Sequence, residues 1–90
     1  MDFSWDERKA ASNLRKHGVS FDEAASVFAD PPRAVHRGPV DPGRTLLLGT
    51  SVRNRLLLVV HAALDKSTIR IISARRATSH ERRRYEEEGH

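Results

Sequence analysis

The second half of the chain leaves the fewest choices of fold. Two runs rich in leucine and valine, Thr45 to Val52 and Arg55 to Leu64, are followed by a β-branched run that starts at Thr68. Leu46, Leu48 and Val52 share one face of the first run, and Leu56, Leu58, Val60, Ala62 and Leu64 share one face of the second. Arg55, Leu57, Val59 and His61 fall on the opposite face of that second run, as a period of two requires. The links, Ser51 to Asn54 and Asp65 to Ser67, are hairpin-sized. A parallel return needs a crossover of about a dozen residues, so strands joined this way must be antiparallel. The third run carries Ile69, Ile71 and Ile72 and stops at Ser73-Ala74-Arg75-Arg76, where apolar alternation gives way to paired guanidinium groups.

Helix signals flank this meander. Asp6 reads as the N-cap of a helix running through His17, with Gly18 where a left-handed residue closes the end. Ala10, Leu14 and Ala11 form its expected inner side. Arg8, Lys9, Ser12, Arg15 and Lys16 form the polar side, with Asn13 and His17 at the boundary. Ser20 and Glu23 match a capping box, and Val19 and Ala24 match a hydrophobic staple. They open a second helix, about Phe21 to Ala29, expected to bury Phe21, Ala24, Ala25 and Phe28 and to stop at Asp30-Pro31-Pro32. Phe3-Ser4-Trp5 reads as a short edge strand or an apolar anchor. Arg33 to Arg44, punctuated by Gly38, Pro39, Pro42 and Gly43, reads as a short strand around Ala34 to Arg37 and then a turn. Thr78 and Glu81 form a last capping box, before a helix that carries Arg82, Arg83, Arg84 and Tyr85. The expected class is α+β: two N-terminal helices, an antiparallel sheet of three to four strands and a C-terminal helix, in one domain spanning 1–90.

Composition narrows the chemistry. The net charge is +4, and thirteen of the sixteen basic residues are arginine. Six of those arginines (70, 75, 76, 82, 83 and 84) lie in the last strand-turn-helix unit. The planar guanidinium fork suits phosphate, so this corner, with Tyr85 beside it, points to a nucleic-acid backbone. The chain has no cysteine, which excludes disulfides and thiolate metal sites and fits the cytoplasm. Its five histidines show no H-x-x-x-H or H-x-H spacing, so no metal or other cofactor is expected. No apolar run is long enough for a membrane span. His61 could serve as acid or base on its strand, and His80 could donate a proton from the first turn of the last helix.

Two blocks carry a family resemblance. The N-terminal F-x-W-D-E-x-K followed by N-L-R-K-H-G-V-S-F-D-E-A, and the C-terminal I-R-I-I-S-A-R-R-A-T-x-x-E-R-R-x-Y-E, closely resemble the BrnT toxins of type II toxin–antitoxin modules. The blocks cover roughly half of the chain. The resemblance implies a RelE-like fold and an endoribonuclease that stops growth by cleaving RNA. It also implies neutralisation by a BrnA-type ribbon-helix-helix antitoxin, through which alone the toxin would reach operator DNA. Metal-free cleavage by the substrate's 2′-hydroxyl needs a proton acceptor, a cationic clamp on the phosphoryl oxygens and a donor for the leaving oxygen. Arg75 and Arg76 would be the clamp, helped by Arg70 or Arg82. Glu81, His61 or His80 would move protons, and Tyr85 would position or donate. Lys9, Asn13, Lys16 and His17 are candidates for holding the RNA backbone or the antitoxin. Two other classes use the same arginines: a non-catalytic nucleic-acid-binding module, and a module that only docks an antitoxin.

Overall fold

Local signals place every helix where the chain can cap it. The structure, a computed structural model, describes residues 1–29, 35–41 and 43–88. Strand β1 (Asp2–Ser4) precedes helix α1 (Glu7–His17) and helix α2 (Phe21–Ser26), which runs on through a 3₁₀ turn at Val27–Ala29. Strands β2 (Val35–Asp41), β3 (Arg44–Thr50), β4 (Leu56–Ala63) and β5 (Thr68–Arg76) follow, and helix α3 (Ser79–Glu88) closes the described chain. Asp6 accepts from the backbone N–H groups of Arg8 and Lys9, and Gly18 takes φ 68° at the end of α1, a conformation that a Cβ would strain. The Asp30-Pro31-Pro32 stop lies outside the described residues.

The three hairpin-linked strands pair as their links demand. The sheet has five strands in the order β1-β5-β4-β3-β2, and β2 to β5 form an antiparallel meander. Of the two readings of Phe3-Ser4-Trp5, the edge strand holds: β1 joins as a fifth strand and runs parallel to β5, with Phe3 opposite Ile69. Parallel pairing is open to it because two helices and three strands separate it from β5. The edge strand β2 is longer than expected: it runs through Gly38 and Pro39 to Asp41, with register shifts on either side of Pro39. An edge tolerates proline because one side of the ladder needs no donor. The first hairpin turns at Asn54, with φ 61°, and Asp65 Oδ1 shapes the second by accepting from the N–H groups of Ser67 and Thr68.

Both faces of β4 are buried, and they feed two clusters. Leu57 and Val59 join Val19, Phe21, Ala24, Val27, Leu47, Ile71 and Ala74 under α1 and α2. Leu56 and Leu58 join Leu48 on the other face, where Leu46, Ala77 and Tyr85 pack against them. The staple residues Val19 and Ala24 are both fully buried in the first cluster.

Two inward assignments do not hold. Leu14 is 50% exposed and Ala11 is exposed, whereas Ala10 packs on the core and Asn13 is buried. Asn13 takes the inward position, three residues from Ala10, and this turns Leu14 outward by about 100°. Val52 and Leu64 lie beyond the strand ends and are exposed. The capping box on α2 is half formed: Ser20 Oγ accepts from Glu23 N–H at 3.0 Å, but the Glu23 carboxylate turns inward instead of back. Its partner is Arg55, on the hairpin turn, and Ser51 Oγ donates to it at 2.7 Å.

Asn13 explains why α1 sits where it does. Strand β1 covers only Thr68, Ile69 and Arg70 of β5, so the outer edge of β5 farther along has no strand neighbour. The Asn13 carboxamide fills that place: Nδ2 donates to Ala74 O at 2.8 Å and to Val19 O at 2.9 Å, and Oδ1 accepts from Ala74 N at 3.1 Å. An amide offers both polarities, so one side chain pairs with both backbone groups of Ala74. Asn13→Ala leaves those groups buried and unsatisfied and should lower unfolding stability by about 3 kcal/mol. Urea denaturation checks this; a loss below about 1 kcal/mol would make the clamp incidental.

Candidate functional site

The chemistry gathers where β5 ends. Arg75 stands opposite Leu58 and Arg76 opposite Leu57, so consecutive guanidinium groups leave opposite faces of the sheet. Arg75 meets Glu81 in a bidentate pair, Nη1 to Oε1 and Nη2 to Oε2, both at 2.8 Å. Its Nη1 also donates to Arg76 O at 3.2 Å. Three of its five donors are thus engaged, and Nε–H and one Nη2–H take no part in these bonds. Arg76 is exposed, and no partner holds it among the described residues.

Glu81 does two jobs at once. The α3 capping box forms as expected: Glu81 Oε1 accepts from Thr78 N–H at 2.8 Å, and Thr78 Oγ1 accepts from Glu81 N–H at 3.1 Å. The same carboxylate carries the Arg75 fork, so one residue caps the helix and ties it to the strand end. Hydrogen bonds from Arg75, then from the Thr78 N–H, hold its pKa down at about 2 against the upward push of partial burial. A carboxylate held so low has little tendency to take a proton at neutral pH.

The end of α1 lies at this same edge of the sheet. Gly18 O accepts from Arg55 Nη2 at 2.9 Å, and the next residue's carbonyl, Leu56 O, accepts from Ala77 N just beyond Arg76. Lys16 and His17 follow the buried Asn13 by three and four residues, one turn along the same side of α1. Both are exposed basic side chains at the C-terminal end of α1. On α3, Arg82 and Arg83 are exposed, while Arg84 pairs with Glu88 at 3.5 Å. His80 is exposed in the first turn of α3.

Other sequence candidates lie elsewhere. Arg70 is on β5 but five residues before Arg75, on the order of 17 Å along the strand; its Nη1 approaches Ser4 Oγ at 3.5 Å. His61 pairs with Ile71 and is buried, its ring edge-on to Phe28 with centroids 4.9 Å apart. Lys9 is exposed on α1, nearly two turns before Lys16. Asn13 is fully engaged inside the fold, and Tyr85 is half-buried against the cluster of Leu48, Leu56 and Leu58. Glu23 and Arg55 are the pair that sequence reasoning passed over. Ser20 gave Glu23 a sufficient local explanation, and nothing in the spacing marks a partner 32 residues away.

Among the described residues no cluster of three or more His, Cys, Asp or Glu side chains could hold a metal, and no helix is long and apolar enough to cross a membrane.

The family profile described as "Ribonuclease toxin, BrnT, of type II toxin-antitoxin system" matches residues 5–81, which includes α1, the whole sheet from β2 to β5 and the Arg75–Glu81 pair. The chain belongs to the BrnT family. It is therefore a ribonuclease toxin, with RNA as its substrate class and an antitoxin as its partner class. Among solved structures, the 1.1 Å crystal structure of the Brucella abortus ribonuclease toxin BrnT is similar, with TM-score 0.72 at 23% identity. The match covers 88% of this chain and 99% of that one, and at this identity it speaks for the fold alone. No curated protein sequence matches the chain.

The low pKa of Glu81 sets an acid limb of stability. Its folded pKa of about 2 lies below the ordinary 4.5, so its contribution is complete above pH 4.5 and is lost as pH falls toward 2. Glu23, also lowered by Arg55, adds loss in the same direction. In urea titrations at a series of pH values, Glu81→Gln should flatten this limb by at most about 3 kcal/mol. An unchanged limb would mean that the pair does not form in solution.

Proposed function

We propose that the chain is a metal-independent endoribonuclease that works at the end of β5, with Arg75 on the scissile phosphate and Arg76, Lys16 and His17 along the adjacent backbone. The observation that carries this reading is the Arg75–Glu81 pair. Its bidentate geometry fixes a guanidinium at the strand end with two donors left outside the pair, next to the exposed Arg76. Preorganised donors aimed at a phosphorane are the largest contribution a protein without a metal can make to this reaction. In the step, the 2′-oxygen bonds to phosphorus as its proton passes to a base. The bond from phosphorus to the 5′-oxygen breaks, and that oxygen takes up a proton. The products are a 2′,3′-cyclic phosphate and a 5′-hydroxyl.

Within this reading Glu81 is a positioning residue. It holds Arg75, and its lowered pKa disfavours the role of base. The buried His61 is set back from the strand end, so among the described residues the exposed His17 and His80 are placed to move protons. Arg82 reinforces the phosphate-facing side from α3, and Tyr85 anchors that helix on the sheet. Arg70 and Lys9 lie farther from the strand end and serve a longer RNA track. The chain acts in the cytoplasm as one domain, stops growth by cutting RNA needed for translation, and is neutralised by a BrnA-type ribbon-helix-helix antitoxin that alone carries the complex to operator DNA.

The test is cleavage of a short end-labelled RNA in EDTA, beside the same RNA with one 2′-deoxy substitution at the cut site. Wild type should cut the first and spare the second at that position. Arg75→Ala should reduce kcat by about 10²–10³-fold. Arg76→Ala should mainly weaken binding and reduce the salt slope by about 1. Cleavage that survives the 2′-deoxy substitution, or that Arg75→Ala leaves intact, would overturn the mechanism; salt-sensitive binding without cleavage, even with ribosomes added, would mark a binding module.

A further inference from the structure

One apolar surface of α1 lies open beside the start of α2. Trp5, Ala10, Ala11, Leu14 and Phe21 floor an open groove of about 290 Å³ between α1 and the start of α2. Leu14 is 50% exposed there, although a leucine on an amphipathic helix belongs inside. Trp5 stands edge-on to Phe21 with ring centroids 5.9 Å apart, so the wall is backed by the core. The rim is acidic: Glu7 and Asp22 line it with Ser20, and both carboxylates are exposed. Trp5 Nε1 donates to Glu7 Oε1 at 3.1 Å, which keeps that carboxylate at the groove mouth.

This combination selects its ligand. A chain of net charge +4 here presents two carboxylates over an apolar floor, so the groove repels phosphate and favours a cation next to a hydrophobic group. The volume suits one or two side chains better than a drug-sized molecule, for which pockets run to about 300–1,000 Å³ enclosed on most sides. We propose that the groove docks the antitoxin, through one apolar side chain seated on Leu14 and Trp5 and a neighbouring lysine or arginine paired with Asp22 or Glu7. This inference rests on the antitoxin partnership of the family and not on the catalytic assignment of Arg75. An antitoxin seated here is anchored on the helix layer, with Leu14 one helical turn from His17.

Trp5 is the only tryptophan in the chain, so it reports on the groove directly. The chain is labelled with fluorotryptophan, and its single ¹⁹F resonance is followed while its cognate antitoxin is added. In parallel, the Kd is measured for wild type, Leu14→Lys and Asp22→Lys, with thermal unfolding as the check on folding. Both positions are exposed, and neither has a place in the catalytic reading. The expected result is a shifted resonance in wild type and a Kd weakened at least tenfold in each variant, with RNA cleavage by the free variants within twofold of wild type. A non-cleavable 2′-deoxy oligonucleotide should leave the resonance in place. Wild-type affinity in either variant overturns the proposal. So does a resonance that moves with the oligonucleotide and not with the antitoxin, which would assign the groove to nucleic acid. Loss of cleavage with unchanged antitoxin affinity also counts against it.

Discussion

Everything functional in this fold depends on how the exposed half of β5 is closed. Strand β1 pairs with three residues of β5 and ends. Past that point the strand's outer polar groups need partners, because buried backbone amides left unpaired are costly. The Asn13 carboxamide supplies both partners at Ala74, and so fixes α1 beside the strand. That single contact sets where Lys16 and His17 stand relative to Arg76. A hydrophobic residue at position 13 would pack, but it would leave the edge open and the helix free to slide.

Two acid–base pairs then lock the periphery, and they differ in kind. Glu23 is almost fully buried and holds Arg55, Ser51 and, through Arg55, the C-terminus of α1. Burial of such a pair yields little net stability, because desolvation offsets attraction, yet loss of one partner is severe. Its value is in geometry: it fastens the β3–β4 turn to α2. Arg75 and Glu81 are partly exposed, and their pair fastens α3 to the end of β5. The second pair leaves donors free, so it can organise a charged ligand without being consumed by it. The first pair is the more buried of the two.

Local grammar in the sequence gave up its structure readily. Asp6, Gly18, Ser20, Thr78 and Glu81 cap as their spacing says, because a cap is decided within four residues. The antiparallel meander followed from link length alone. The parallel pairing of β1, the inward turn of Glu23 and the orientation of α1 all depend on partners dozens of residues away, which no local pattern encodes. Leu14 shows the limit well: amphipathic logic put it inside, and the hydrogen-bonding need of Ala74 put Asn13 there instead. At the site, Arg75, Arg76 and Glu81 were legible as a cluster because they sit within one strand-turn-helix. His61 and Arg70 were not separable from them in sequence, since a strand's faces and ends acquire meaning only when something packs on them.

In the proposed mode RNA lies across the end of β5 with its scissile phosphate on Arg75. A crystal structure of the chain with a short RNA carrying a 2′-O-methyl group at the cut site tests this most directly. The expected result is that phosphate within hydrogen-bond distance of Nε or Nη2 of Arg75, the Glu81 pair intact, and the adjacent backbone along Arg76 and Lys16. An RNA bound elsewhere on the surface, with Arg75 and Arg76 both facing solvent, would contradict it.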